Sequence, residues 1–373
     1  MSKIRIAAFG GFRDIPPQAG SAGSDKFAVE LYPRIASRGY PILAYCRIYP
    51  NQDERDVVKP EYSGVKLKYF RTVQKAGFDS LLHSCKATFD IIVHNTADVV
   101  HIHSGANSIW ALILRLAGKR VYISQFAMDW KRDKWPWYGK LFYIVSNYLT
   151  ALCPNRVIFD NIYTKEYFEK KFNRKYDFIP YGSEVKDPGN NLQILDKFDL
   201  RSKEYFLFVG RFIPDKGLHL LIEAFEKCQT DKKLVLVGGS PNPSEYEKKI
   251  KATQDKRIIF AGYVYGDDTN VLIKNAYAYV QPSLIEGLSP VILTVMGLGT
   301  PMICSDIVEN IFITKDNALH FQSGNSNSLL KQIDSALTNE SILKKNAEFG
   351  QSDIRERFNW DSITDQFLDL FKK

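Results

Sequence analysis

Long apolar runs are missing from this chain. A membrane-crossing helix needs roughly 20 consecutive apolar residues; the longest candidate, Leu141 to Cys153, is shorter and is interrupted by Ser146 and Asn147. No Cys-x-x-Cys occurs either. The five cysteines (Cys46, Cys85, Cys153, Cys228 and Cys304) are scattered and odd in number, which fits reduced thiols in a cytosolic setting and not a disulfide scaffold. The N-terminus lacks the form of a secretory leader: Lys3 and Arg5 precede only the brief run Ile6 to Phe9, which reads as a first strand. No nucleic-acid-binding module pattern accompanies the formal net charge of +8, so nucleic acid is not the expected partner.

What is present describes a globular α/β protein. At 373 residues, 45% hydrophobic and 25% charged, the chain suits two domains of ordinary size. Strands are expected at Ile4 to Phe9, Ile42 to Cys46, Val65 to Phe70, Val99 to His103, Val121 to Ser124 and Val157 to Phe159. After a polar stretch at Ser183 to Asn191 the theme repeats at Tyr205 to Val209, Leu234 to Val237, Ile258 to Phe260, Ala278 to Val280, Met302 to Cys304 and Ala318 to Phe321. Helices lie between most of them, and Ser24 and Asp25 are placed to cap the one ending near Arg38. Such alternation means parallel sheets flanked by helices, with ligands at the carboxyl ends of the strands and, for two such domains, a cleft between them. The positive charge is concentrated in Lys119 to Lys140 and Lys165 to Lys175, among Trp130, Trp135, Trp137, Tyr138, Tyr143 and Tyr148. That mixture suits an anionic lipid surface, and equally a solvated basic face over an aromatic core.

Two stretches carry chemistry. In QPSLIEGLSPVILTVMGLGTPMI (Gln281 to Ile303) a strand end leads to a loop with Glu286, then a helix from about Ser289 to Leu298. A carboxylate there can hold a ligand hydroxyl, while the free amides and dipole of the helix start favour phosphate. In VGRFIPDKG (Val209 to Gly217) a strand end brings Arg211 and Lys216 to another helix start; Arg grips phosphate oxygens as a fork and Lys adds a mobile point charge. Together these suit a sugar joined to a diphosphate. Gly20 to Gly23 before the first long helix offers close backbone approach to a diphosphate or an acceptor. His101 and His103 share one strand face, but no third metal ligand is evident, and no metal site is expected.

These stretches resemble the retaining family 4 glycosyltransferases of the GT-B fold. GGFRDIPPQAGSAGSDKFAVELYPRIASRGYPILAYC, DVVHIH, MDWKRDKW and SDIVENI resemble a bacterial branch of that family containing polysaccharide rhamnosyltransferases. The resemblance implies two Rossmann-like domains with parallel sheets facing a central cleft. Residues 1–184 would bind acceptor, residues 185–357 would bind donor, and a terminal helix over 358–373 would pack back on the first domain. It implies that Arg211 and Lys216 clamp the donor diphosphate and Glu286 holds the donor sugar, with catalysis assigned to these three. Donor contacts would come from Gly23, Gly210, Gly238, Gly239, Tyr263, Val264, Gly287, Leu288, Ser289 and Thr294, and sugar or acceptor contacts from Phe126, Asp129 and His103.

Such enzymes need no metal and no cofactor beyond the nucleotide-sugar donor, because the cationic clamp neutralises the leaving diphosphate. The acceptor would be a lipid-linked oligosaccharide or polysaccharide at the cytoplasmic face of a membrane, which the protein would approach peripherally. Two positions depart from the family. Where a second Glu usually binds the ribose hydroxyls stands Thr294, which fits a dTDP-linked donor lacking the 2′-hydroxyl. Where many members have a His against the sugar 6-position stands Phe126, which favours a 6-deoxyhexose. Alternatives are a non-catalytic sugar-nucleotide-binding partner of another transferase and a sugar-nucleotide epimerase.

Overall fold

The computed structural model describes residues 3–16, 23–74, 78–126, 137–183, 185, 187–189, 191–240 and 244–373. The chain divides into two units, Met1–Gly182 with Trp360–Lys373, and Ser183–Asn359.

The first unit runs β1 (Ile6–Phe9), α1 (Gly23–Ser37), β2 (Ile42–Ile48), α2 (Glu54–Val57), β3 (Glu61–Tyr62), β4 (Val65–Arg71), α3 (Phe78–Val93), β5 (Val99–His103), α4 (Ile109–Leu116), β6 (Arg120–Gln125), α5 (Trp137–Leu152), β7 (Arg156–Phe159), α6 (Ile162–Phe172) and β8 (Asp177–Phe178). Its sheet has the order β3-β4-β2-β1-β5-β6-β7-β8. All pairings are parallel except β3 with β4, where Glu61 faces Lys66. That hairpin went unread in the sequence; Ser63 and Gly64 both take positive φ, as its tight turn requires. The central strands β1 and β5 are buried along their whole length, the mark of parallel strands covered on both faces. Ala7, Phe9, Val100, Ile102, Val121 and Ile123 pack with Ala87, Ile91, Ala111 and Leu114 in one core.

The second unit runs α7 (Gln193–Lys197), β9 (Tyr205–Arg211), α8 (Leu218–Lys227), β10 (Lys233–Gly239), α9 (Glu245–Lys251), β11 (Ile258–Gly262), α10 (Asp267–Asn275), β12 (Ala278–Gln281), α11 (Pro290–Gly297), β13 (Met302–Ser305), α12 (Val308–Thr314), β14 (Leu319–Phe321), α13 (Ser326–Thr338) and α14 (Glu340–Arg357). Its sheet is parallel throughout, in the order β11-β10-β9-β12-β13-β14. The chain order reverses at β9, whose neighbours are β10 and β12. Loops leaving the two sides of such a switch point splay apart and leave a crevice at the carboxyl edge.

The last helix, α15 (Trp360–Lys372), belongs to the first unit. Phe367 and Phe371 pack against His101, Phe371 against Tyr122, and Trp360 against Phe27 and Tyr181. The Tyr122 hydroxyl donates to the Leu370 carbonyl at 2.8 Å, and Arg38 pairs with Asp361 and Asp365.

Ser24 and Asp25 do not cap α1, which already begins at Gly23. The Ser24 hydroxyl donates to the Gly11 carbonyl, and buried Asp25 accepts from the Arg13 amide at 2.6 Å. Both residues fix the loop after β1 instead.

His101 and His103 do lie on one face of β5, with ring centroids 4.6 Å apart, but both are fully buried. The Tyr32 hydroxyl lies between them, 3.0 Å from Nδ1 of His101 and hydrogen-bonded to Nε2 of His103, while Nε2 of His101 meets the Ser124 hydroxyl. Among the described residues no group of three potential ligands forms a metal site. Burial pushes His101 down to about 3 and His103 well below its ordinary value; His83 falls to about 3 through burial and the nearby Arg47. These rings stay neutral when folded but protonate in the unfolded chain below about pH 6.5. The unfolded state therefore binds more protons as pH falls, and stability is lost from about pH 6.5 downward, by up to about 1.4 kcal/mol per pH unit for each ring. His83 Nε2 lies 3.0 Å from the Cys46 carbonyl, a bond that a Gln can keep without titrating. His83→Gln should give a shallower fall of melting temperature between about pH 6.5 and 4 than the wild type; equal slopes would contradict a neutral buried His83.

Candidate functional site

At the switch point the end of β9 carries Arg211, whose side chain is exposed and forms no ion pair among the described residues. The chain then makes a 3-10 turn, Pro214–Lys216, and Gly217 starts α8. On the other side of the crevice β12 ends at Gln281 and leads through Pro282 to Glu286 before α11 begins at Pro290.

These two loops are joined by backbone. The Asp215 carbonyl accepts from the Leu284 amide at 2.8 Å. Gly217 has φ +66, and a Cβ on it would sit 2.0 Å from the Pro282 carbonyl oxygen. Only glycine supplies both that conformation and that approach. The consequence falls on the neighbouring side chain: Lys216 Nζ reaches Oε1 of Glu286. The pair is largely desolvated, with the two side chains 18% and 8% exposed.

Glu286 is held from one side. Its Oε1 also accepts from Gln281 Nε2 at 2.6 Å and from the Ser283 hydroxyl at 2.7 Å. Behind these, the buried Tyr279 hydroxyl donates to Gln281 Oε1 at 2.9 Å, and the Ser305 hydroxyl donates to the Ser283 carbonyl at 2.5 Å. Asn310 in turn donates to the Ser305 hydroxyl, so the SDIVENI stretch buttresses the Glu286 loop. Among the described residues Oε2 of Glu286 accepts no hydrogen bond. A carboxylate fixed through one oxygen, with the other open, is organised to receive a hydroxyl.

The other expected donor contacts in this unit fall on the same carboxyl edge. Gly210 and Gly238 face each other in the β9–β10 ladder; Gly238 has φ +129, and a Cβ there would lie 1.8 Å from the Gly210 carbonyl. Gly239 borders the ring of Tyr263, which follows β11, is half exposed and stacks on Tyr265 at 5.9 Å. The Val264 carbonyl is used locally, by the Thr269 hydroxyl. Gly287 and Leu288 are partly exposed and Ser289 is buried. Ser289 stands at the N-cap of α11 but makes no side-chain capping bond, which leaves the helix start uncapped by side chains. At α8 the His219 amide donates to the Tyr246 hydroxyl at 3.2 Å. Thr294 is half-buried and spends its hydroxyl proton on the Pro290 carbonyl at 3.1 Å.

In the first unit Gly23 is exposed at the start of α1, and its carbonyl accepts from the Tyr181 hydroxyl. Phe126 follows β6 and is half-buried, its ring 5.5 Å from Phe27 and 5.7 Å from His103. His103, expected to touch a ligand, is enclosed by Phe12, Phe27, Tyr32 and Phe126. Its ring offers no exposed edge. Asp129, with the rest of the MDWKRDKW stretch, and Gly20 lie outside the described residues.

Comparison with known proteins meets this geometry in the second unit. Residues 193–354 match the family of glycosyl transferases, group 1. Among curated relatives, O-antigen chain mannosyltransferase C of Escherichia coli is 26% identical over 216 residues, 54% of this chain and 56% of that one. D-rhamnosyltransferase WbpZ of Pseudomonas aeruginosa is 32% identical over 143 residues, 37% of each chain. The chain thus matches about half the length of the first relative and less of the second. Sucrose-phosphate synthase from Thermosynechococcus elongatus superposes with a TM-score of 0.83 at 18% identity, covering 99% of this chain and 98% of that one. The fold is GT-B, with two parallel-sheet α/β units.

Gly217→Ala tests the junction of the two loops. It should cost about 1–3 kcal/mol in urea unfolding, from strain at positive φ and displacement of the Pro282 carbonyl. A variant as stable as the wild type would show that the loops need not approach.

Proposed function

We propose that this chain is a glycosyltransferase that moves a hexosyl or 6-deoxyhexosyl group, rhamnosyl in our reading, from a nucleoside diphosphate to a lipid-linked or polysaccharide acceptor at a membrane surface. Anomeric configuration is retained and no metal is needed. The observation that carries the reading is the half-engaged Glu286 carboxylate, bonded through Oε1 to Lys216, with exposed Arg211 at the end of β9, without an ion pair among the described residues.

The chemistry follows from where charge develops. When the anomeric carbon–oxygen bond breaks, its electron pair leaves on the diphosphate and positive charge grows on the sugar. Arg211 takes phosphate oxygens as a fork. Lys216 has three N–H donors, so it keeps its bond to Glu286 while turning another toward a phosphate oxygen. Charge stabilisation placed in advance is the larger part of such catalysis. Glu286 Oε2 accepts from a sugar hydroxyl, orients the ring and lies near the developing positive charge. The acceptor oxygen bonds to the anomeric carbon on the face the diphosphate leaves, and its proton passes to the departing phosphate oxygen.

The sugar and nucleotide rest on two side chains. The family resemblance sets residue 126 against the sugar 6-position; an apolar Phe126 there would leave a 6-hydroxyl unpaired at a cost of roughly 1–3 kcal/mol, so a 6-methyl is preferred. The relative named as a D-rhamnosyltransferase lends support; the one named as a mannosyltransferase fits the hexosyl reading, since mannose is the 6-hydroxylated counterpart of rhamnose. Thr294 has already committed its proton to Pro290 and offers a ribose only lone pairs, which penalises loss of the 2′-hydroxyl little and favours dTDP.

Two measurements test this. Glu286→Gln should lower turnover by about 10²–10³-fold while binding nucleoside diphosphate no more weakly than wild type, and Arg211→Ala should weaken that binding by about tenfold or more. Unimpaired turnover in Glu286→Gln would refute the assignment. In thermal stabilisation by dTDP, UDP, GDP and ADP, dTDP should give the largest shift. A larger shift with UDP or GDP would overturn the nucleotide while leaving the clamp standing, and no shift with any of them would favour a different activity altogether.

A further inference from the structure

Three neighbouring helices of the first unit turn apolar side chains outward. On α5 the buried residues are Ser146, Asn147, Thr150 and Ala151, while Leu141, Val145, Tyr148 and Leu152 form an exposed stripe at helical spacing. Trp137, Tyr138, Phe142 and Ile144 widen it, Trp137 being 76% exposed. The polar groups are used inward: the Ser108 hydroxyl donates to the Ser146 carbonyl, and the Thr150 hydroxyl reaches the Gly105 carbonyl.

Adjacent α4 is apolar on both faces, burying Ala111 and Leu114 and turning Ile109, Leu112 and Leu116 outward, the last 81% exposed. Beside it α3 buries His83, Ser84, Thr88 and Asp90 along with Ala87 and Ile91, and turns Leu82, Phe89 and Val93 outward. The outward face of a soluble helix is ordinarily polar, and a contiguous apolar surface of this extent marks an interaction site.

Charge identifies the occupant. No acidic residue occurs in α4 or α5. The two acids of α3 turn inward and are paired, Asp79 with Arg47 at 2.8 Å and Asp90 with Lys68 at 2.6 Å. Cations border the apolar stripes instead. Arg115 and Arg174 bond the last carbonyls around the end of α5, at Cys153 and Ala151, and Lys171 lies over the Tyr148 ring at 4.9 Å. Exposed Lys86 stands within the α3 stripe. Apolar side chains with aromatics among them, bordered by Lys and Arg and with no outward acid on α3, α4 or α5, match the boundary of an anionic bilayer; an exposed acid, Glu166, stands on α6.

We propose that the α3–α4–α5 face docks on an anionic lipid bilayer, with Leu141, Val145, Tyr148 and Leu152 entering the headgroup–acyl boundary. Among the described residues no helix is long and apolar enough to cross a membrane. The inference deepens the reading of an acceptor carried at a membrane, yet it stands on these helices alone.

The test uses the whole chain and vesicles without any acceptor. Wild type should float with vesicles of phosphatidylcholine and phosphatidylglycerol, and less with phosphatidylcholine alone or at high salt. Leu141→Glu with Val145→Glu should lower the partition coefficient by about tenfold or more, as should Trp137→Ser to a smaller degree. Phe349→Glu, an exposed position on α14 of the second unit, should change nothing. The altered residues are exposed, so melting temperature and stabilisation by nucleoside diphosphate should stay at wild-type values. Wild type that ignores both vesicle types, or variants that bind as wild type does, would overturn the proposal. So would a wild-type dimer that Leu141→Glu with Val145→Glu splits into monomers without any vesicle binding, which would assign the face to a second copy. Nucleoside diphosphate binding is read separately, so a failed docking face and a failed transferase reading cannot be confused.

Discussion

The candidate site depends on a close approach between two loops. Gly217 lets the β9–α8 loop lie against the Pro282 carbonyl, and the Asp215 carbonyl ties the same loop to Leu284. From that approach comes the Lys216–Glu286 pair, and from the pair comes a carboxylate with one oxygen engaged and one open. A largely buried ion pair is weak evidence for stability, because desolvation offsets its attraction. Here three donors on Oε1 offset part of that cost. The arrangement is better understood as positioning: it holds a charged lysine and a carboxylate where an uncharged pair would pack more cheaply.

Much of the fold was legible because parallel strands covered on both faces read as short apolar runs. Ile6–Phe9, Val99–His103 and Met302–Ser305 are such runs, and helices separate them. The β3–β4 hairpin was not legible, since two-residue strands carry no periodicity. The role of Ser24 and Asp25 was misread for a related reason. A Ser-Asp pair before a helix looks the same in sequence whether it caps that helix or bonds a loop twelve residues back.

The site was legible in part. Charged residues at strand ends stand out, and the family resemblance grouped Arg211, Lys216 and Glu286. The residues that hold Glu286 did not stand out: Gln281 and Ser283 are uncharged, and Ser305 and Asn310 act from another strand and helix. Their signal lay in two polar residues interrupting a buried strand end just before Glu286. His103 shows the opposite failure. Its place at a strand's carboxyl end suggested ligand contact, but the rings that enclose it come from α1 and from loops after β1 and β6, which spacing within one strand cannot reveal.

A double-mutant cycle on Lys216 and Glu286 tests the central claim most directly. Unfolding free energies would be measured for Lys216→Met, Glu286→Gln and the double variant, with and without saturating nucleoside diphosphate. The account predicts a coupling of about 1–3 kcal/mol without ligand, which persists with it, because the diphosphate takes another of the three Lys216 N–H donors. Additivity to within about 0.3–0.5 kcal/mol in both conditions would show that the pair does not form, and the half-engaged carboxylate would lose its basis.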